Sequence, residues 1–526
     1  MTIGTTTAGA SVASNGEGAR FLLSRALRDL AVPVAVAVTL VAAMAAAQLL
    51  APAGIRAPAT ATAGAAVILI AYLRWPRPAL VTFAVFMLVY DSFAVWLNSG
   101  VHNLDELVVP GLVVLAVVRE RPWRKGVFEP VRDGAFVLVV VLAVVASVVN
   151  SVPLDTWLVS LLLIVKAYAF LHVVLWHDWP THEVRRALTA VFAFALPVLA
   201  IGLVEAVVGP ALRQFIGLPG LADVRGELPG ISSIMVFVTI FSWFTTFVAL
   251  YLFAYYLVYR RLWLLIAGLA FGVGSFLAGR RRAIIGLAIG LVGGAVAQLR
   301  LGVARRSLLR VWLPIGAIAL VLIIVFSRGL LDLAQRTYYE YGGPQPDLLD
   351  PNLPTDPWDL AYYVPGNPRV LLYTTSITIA HDYFPLGAGL GRYGSPLSRD
   401  PANFSPLYQR YGLDHIWGLT PHYAAYITDT YWPHILGEIG VFGLIGYCLF
   451  IAALGFQLWR ATRQLVEPFT HAFALGALMA FVHALVESSA SSMYESSPRI
   501  YLAFGAFAVA LALARVARSS LSAREV

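Results

Sequence analysis

The chain has 526 residues, with 37 Lys and Arg against 29 Asp and Glu, a net charge of +8. Charged residues make up 13% and hydrophobic residues 59%, where an ordinary soluble domain carries ~25% charge. Those figures exclude a water-soluble enzyme, and arginines confined to short clusters between apolar runs exclude a nucleic-acid face.

Residues 1–28 begin with the small polar tract MTIGTTTAGASVASNGEGAR and are expected to form a disordered cytoplasmic tail. Arg20, Arg25 and Arg28 precede an apolar run over residues 30–50. That run exceeds the ~7–15-residue core of a signal peptide, so it reads as a retained anchor. A ~20-residue criterion gives fourteen candidate transmembrane helices, in a range of 12–14. They centre near residues 40, 66, 88, 112, 142, 165, 198, 245, 270, 291, 318, 445, 477 and 507. The expected fold is an all-α polytopic membrane protein, with helices 1–11 in residues 29–327 and helices 12–14 in residues 433–516. Residues 517–526 form a second cytoplasmic tail, and the single cysteine, Cys448, rules out an intrachain disulfide.

If the basic amino terminus is cytoplasmic, alternate connections carry most of the Lys and Arg, which puts both termini inside. Arg280, Arg281 and Arg282 break that pattern in a tight outer turn. Flipping the segment would turn Arg300, Arg305, Arg306 and Arg310 outward instead, so the triplet reads as an exoplasmic cation cluster. Residues 328–432 form one large extracytoplasmic loop. Its Pro-, Asp- and aromatic-rich first half should be extended, while its second half should hold short helices near residues 371–381 and 423–430.

An extracytoplasmic site has no nucleotide pool, so a synthetic reaction there needs a substrate carrying its own leaving group, as polyprenyl-diphosphate-linked sugars do. A departing diphosphate needs fixed positive charge, and the planar guanidinium suits phosphate oxygens. Arg280, Arg281, Arg282 and Arg225 are the candidate clamp, with Arg225 equally readable as an exposed loop charge beside acidic partners, and Arg213 a weaker candidate. The attacking hydroxyl must lose a proton to a neutral His or a carboxylate. Of His381, His415, His422 and His434, His422 is favoured, because Pro421 can open a short helix and place it early. Asp429 and Glu438 could orient the histidine or bind sugar hydroxyls, or pair with nearby arginines; Glu205 could face the same site.

Gly389, Gly391 and Gly394 spell G-x-G-x-x-G, but without a strand-to-helix context they read as a tight turn. The loop histidines lack the spacing of a metal site. His483 and Glu487, four apart on a helix, read as a structural hydrogen bond. Lys166 and Asp91 lie in apolar helices, where they either neutralise one another or line a transport path.

Several stretches together resemble the O-antigen ligase and polymerase superfamily. LAGRRRAIIGLAIG is similar to its arginine turn, PLGAGLGRYGS to its glycine-rich loop element, and SPLYQRYGL with ITDTYWPHILGEIGVFGLIGY to the segment entering the next span. The likeness covers roughly residues 200–460. It implies a C-type glycosyltransferase-like bundle in a bacterial cytoplasmic membrane that moves a glycan from a polyprenyl diphosphate to a hydroxyl, with inversion and without metal or other cofactor. The partners it implies are the lipid-linked donor, a glycan or lipid acceptor, membrane lipids, and a flippase and chain-length regulator. The family's turn arginine falls on Arg281 with Arg280 and Arg282 beside it, its upstream arginine on Arg225, and its loop histidine on His422, which lacks the Asn neighbour common in ligases. The tract from SPLY to DTYWPHILGE favours a polymerase over a ligase that delivers a finished glycan. A flippase or transporter for an anionic substrate is the reading of another class, for which the chain shows no inverted repeat.

Overall fold

The computed structural model describes residues 15–97, 104–219, 230–300, 368–400, 404–416, 418–495 and 498–525. These are mainly helical, with no strand among the described residues. In chain order the helices are α1 Asn15–Leu50, α2 Arg56–Arg74, α3 Pro76–Met87, α4 Tyr90–Trp96, α5 Leu104–Glu120, α6 Pro130–Val149, α7 Leu154–Trp176, α8 Thr181–Val208, α9 Pro210–Phe215, α10 Val238–Tyr259, α11 Leu262–Leu277, α12 Arg281–Arg300, α13 Pro368–Asp382, α14 Pro406–Arg410, α15 Trp432–Gln464, α16 Pro468–Ser488 and α17 Arg499–Glu525.

Ten of them are long and apolar enough to cross a membrane: α1, α2, α6, α7, α8, α10, α12, α15, α16 and α17. The pair α3 and α4, bent by 64°, makes an eleventh if it is one span. Of the fourteen expected centres, twelve fall inside described helices and the one near residue 88 falls on that bend. The one near residue 318 lies outside the described residues, as does most of the first half of the large loop. Helix α5 has 17 residues with Pro110 inside it, and α11 has 16. Helix α1 already begins at Asn15, within the segment expected to be a tail.

Proline opens α3, α6, α9, α14, α15 and α16, where its missing N–H interrupts no helical hydrogen bond. Glu129 and Glu467 then cap α6 and α16 by accepting the Arg132 and Thr470 amides, which also sets negative charge against the positive helix end.

Helix α10 is the most enclosed, with 94% of its apolar window buried among α11, α12 and α16. Helix α12 docks on α16 through Gly286, Gly290 and Gly294, four residues apart. A β-carbon on Gly290 would lie 3.1 Å from the Met479 carbonyl oxygen, and one on Gly294 would lie 2.7 Å from Met479 Sδ. Only a stripe of small residues allows two backbones this close. Arg282 is one turn before Gly286, so the same stripe turns Arg282 toward the carboxyl end of α16.

Helix α15 packs on α6 and α13 and is kinked at Gly440, where φ is 76° and ψ −174°. Gly387 (φ 76°) meets it there: a β-carbon on Gly440 would lie 2.7 Å from the Gly387 amide nitrogen, and one on Gly387 2.7 Å from the Glu438 carbonyl carbon. Both positions need a left-handed backbone and have no room for a side chain, which leaves glycine.

Lys166 does not pair with Asp91. Its Nζ lies 2.8 Å from Asp105 Oδ2, which also accepts from the Tyr501 hydroxyl at 2.7 Å, all three being buried. Sequence distance along α5 and α7 gives no hint of this partner, because only helix packing brings residues 105 and 166 level. Asp105→Asn should leave a buried ammonium without its counter-charge and lower unfolding stability in detergent by about 3–5 kcal/mol. Asp105→Leu combined with Lys166→Met should recover most of that loss in the same thermal unfolding measurement.

Candidate functional site

Residues 368–400, 404–416 and 418–431 cover one end of the bundle. Asn150 Nδ2 donates to the Gly387 carbonyl at 2.9 Å, Leu390 N to Ser147 Oγ at 3.0 Å, Tyr373 OH to the Ser489 carbonyl at 2.7 Å, and Trp432 Nε1 to Ser488 Oγ at 3.1 Å. The first three tie the segment to the carboxyl ends of α6 and α16, and the last ties the start of α15 to the end of α16. Tyr393, Tyr408, Leu372 and Ile379 give it a small core of its own.

The glycine-rich stretch is a docked loop. Ala388 N and Gly389 N donate to the carbonyls of Gly437 and Glu438 at 2.8 and 2.9 Å. Gly391 N and Tyr393 N donate to Glu438 Oε2 and Oε1 at 2.8 and 2.6 Å. Gly394 N donates to the Tyr408 hydroxyl at 2.8 Å; burial pushes that hydroxyl's pKa well above its ordinary value, so it stays a neutral bonding partner. Glu438, expected to meet a histidine or a sugar, therefore has both oxygens on loop amides. Its Oε2 also lies 3.3 Å from Nδ1 of His434, whose Nε2 is 2.6 Å from Glu495 Oε1. Glu438, His434 and Glu495 are all buried.

Beside this loop is a cluster of arginines. Arg280, Arg281 and Arg282 follow the turn at Gly279 and are half-buried at the start of α12. Arg282 Nη1 is enclosed and makes no hydrogen bond to a described residue. Arg499, the first residue of α17, is 5% exposed and sets Nη1 3.6 Å from Glu487 Oε2. It lies within electrostatic range of Arg282 and Asp429. Asp429 in turn accepts from Arg369 Nη2 at 2.6 Å, and Arg369 sits over the Tyr426 ring at 5.0 Å.

His483 lies against Gly286, one turn after Arg282 on α12, with its ring stacked on Trp243 at 6.4 Å. Neither ring nitrogen has a hydrogen-bond partner among the described residues, so the expected His483–Glu487 bond is not made. Arg282 Nη1, Arg499 Nε and both His483 ring nitrogens, enclosed in one small region, thus make no hydrogen bond to a described residue, while Glu487 Oε2 has the 3.6 Å ion pair with Arg499. Buried polar groups are ordinarily paired, and unmade bonds of this kind are costly. A ligand with several anionic oxygens, approached by guanidinium forks, would satisfy the two arginines. A methyl group on Gly286 would overlap His483 Nδ1. Gly286→Ala should therefore displace the imidazole and weaken binding of a diphosphate analogue at least about tenfold, measured by titration calorimetry in detergent.

A cavity of about 400 Å³ adjoins the cluster, lined by Asp91, Asp105, Glu106, Glu495, Lys166 and Arg399 among others. Two consecutive pairs link the features. Thr428 lines the cavity while Asp429 belongs to the cluster, and Pro498 lines the cavity while Arg499 belongs to the cluster. Glu495 Oε2 is enclosed there and makes no hydrogen bond to a described residue.

Other sequence candidates lie elsewhere. Arg225 is outside the described residues. Glu205 is buried in α8 and accepts from the Ser232 and Ser233 amides at 3.0 and 2.5 Å. Arg213 donates to Ser232 Oγ and to the carbonyls of Pro219 and Met235, so the two fix the turn before α10. Pro421 opens no helix: residues 420–423 form a turn in which Tyr423 N donates to the Thr420 carbonyl at 3.1 Å, and residues 425–428 are turns as well. His422 is exposed on that turn and bonds to no described residue. His381 and His415 are exposed beside Asp382 and Asp414. Bonds from Tyr411 and His381 hold the Asp382 carboxyl below its usual range.

Sequence reasoning did not single out Arg369, Glu495 or Arg499. A lone arginine heading an apolar helix, as in SSPRIYLAF, is indistinguishable from a topology anchor until α16 and α12 are packed beside it. Among the described residues no group of three or more His, Cys, Asp or Glu is placed to hold a metal ion. Comparison with protein-family models and with curated proteins finds no match for the chain.

Proposed function

We propose that the chain is an inverting membrane glycosyltransferase that extends a lipid-linked polysaccharide, taking the growing glycan from a polyprenyl diphosphate carrier. The observation that supports this reading best is the contiguity of Arg282 and Arg499, whose enclosed Nη1 and Nε make no hydrogen bond to a described residue, with an acid-lined cavity through Thr428–Asp429 and Pro498–Arg499. An anionic leaving group and a polyhydroxy acceptor are the two reactants such a pair of sites would take. In this reading the chain crosses a bacterial cytoplasmic membrane fourteen times with both termini inside, and the loop-covered end faces outward.

The acceptor hydroxyl attacks the anomeric carbon on the face opposite the diphosphate. The bond from that carbon to the phosphate oxygen breaks with its electron pair on the diphosphate, which Arg282 and Arg499 hold and Arg280 and Arg281 guide. Charge placed where negative charge accumulates lowers the barrier without a protonating acid. The hydroxyl proton passes to Glu495, which His434 orients through their 2.6 Å bond.

Glu495→Gln should lower turnover by about 100- to 10,000-fold with donor binding retained, as measured by single-turnover transfer from a defined diphospholipid oligosaccharide. His422→Ala should be far milder; an equal loss there would move the base onto the exposed turn. Sizing the glycans formed by the purified protein separates the related reactions. A ladder of lengths indicates polymerisation, a single addition to a lipid or wall acceptor indicates a ligase, and donor translocation without transfer indicates a transporter.

A further inference from the structure

We infer that the end of the bundle opposite the loop carries a binding site for the headgroup of an anionic glycerophospholipid. A cavity of about 670 Å³ lies there between α6, α15 and α17. Arg460, Arg515 and Arg518, from the last turns of the α15 and α17 spans, line it together with Arg132.

The arginines differ in what already occupies them. Arg132 is buried and engaged: Nε lies 2.7 Å from Asp133 Oδ1 and Nη1 donates to Gln457 Oε1 at 3.0 Å. Glu129, the carboxylate lining the cavity, accepts the Arg132 amide as the cap of α6. Arg515 Nη2 reaches Asp178 Oδ1 at 3.3 Å, but its Nη1 is enclosed and makes no hydrogen bond to a described residue. Arg460 lies over the Phe456 ring at 5.8 Å, and both Arg460 and Arg518 are exposed. Among the described residues, Asp178 is thus the one carboxylate paired with these three guanidinium groups around the cavity, which favours an anionic occupant.

Part of the wall is apolar and exposed. Phe128, Phe456 and Val131, all lining the cavity, are 66%, 60% and 58% exposed. Arginines above an exposed apolar wall at the ends of two spans match a lipid that puts phosphate at the interface and acyl chains along the helices. A soluble phosphate would use the cations and leave Phe128, Val131 and Phe456 uncovered. Basic clefts between spans attract acidic headgroups by the same electrostatics that draws polybasic segments to anionic leaflets.

The test uses the full-length protein in nanodiscs of phosphatidylcholine containing either phosphatidylglycerol or no anionic lipid, with bound lipid counted by native mass spectrometry. Wild type should retain phosphatidylglycerol at least about tenfold more strongly than phosphatidylcholine, and Arg460→Gln with Arg518→Gln should abolish that preference. Both replaced side chains are exposed, and unchanged melting of the double variant in phosphatidylcholine verifies its fold. Equal retention of the two lipids, an undiminished preference in the double variant, or displacement of the lipid by millimolar inorganic phosphate would each overturn the proposal. The readout is independent of glycan transfer, so it stands or falls separately from the proposed enzyme.

Discussion

Arg282→Ala is expected to slow glycan transfer from a diphospholipid donor by about 100- to 1,000-fold, the scale on which loss of one preorganised group at a developing negative charge is felt. The argument is geometric. Arg282 shares a helix face with Gly286, Gly290 and Gly294, the stripe pressed on α16, so its guanidinium is turned toward the carboxyl end of α16 and comes within electrostatic range of Arg499. Arg281, which the family resemblance favours, is one residue and about 100° round the helix. Arg282→Lys should be intermediate, since an ammonium keeps the charge but not the bidentate fork. Chain extension measured on purified variants of matched stability checks the order. If Arg281→Ala is the more damaging change, the clamp sits on the other face of α12 and the present placement of the diphosphate is wrong.

Glu438→Ala is expected to cost about 3–5 kcal/mol of stability, because it strips buried partners from the Gly391 and Tyr393 amides and removes a counter-charge 3.3 Å from His434. Glu438→Gln should not rescue it. A carboxamide offers one oxygen where two amides donate, so its NH₂ would confront an N–H. Thermal unfolding in detergent and protease sensitivity of residues 386–394 would report both effects. A Glu438→Ala protein that melts like wild type but has lost acceptor selectivity would return the carboxylate to the sugar-binding role its position in sequence suggests.

The helical frame was legible because hydrophobic length is a local property: runs of twenty apolar residues announce α6, α7, α8, α10 and α15 without any knowledge of their neighbours. The bent pair α3–α4 was less so, since a break within one apolar run leaves hydropathy unchanged. The arginine triplet was visible as an anomaly in sidedness, but its working register depends on which face of α12 meets α16. That information sits in the glycine spacing, four residues on from Arg282, and becomes meaningful only once the two helices are known to touch. Histidines behaved differently. His422, eye-catching in sequence, is exposed on a turn, whereas His434 and His483, embedded in apolar text, are enclosed among carboxylates, arginines and aromatic rings. Partner choice between distant helices, as in Lys166 with Asp105, is set by packing and leaves no trace in local spacing.

The docking of the glycine loop on Glu438 has a consequence for biogenesis. The amides of Ala388, Gly389, Gly391 and Tyr393 all find their acceptors at residues 437 and 438. Translation reaches those acceptors some forty-five residues after the loop itself, 45 for Tyr393 and 47 for Gly391. A ribosome-stalled chain that ends before residue 437 has exposed this stretch with none of those acceptors present. Loop and following span must mature together, and a truncation between them would yield an inserted but quality-control-sensitive product instead of a smaller folded protein.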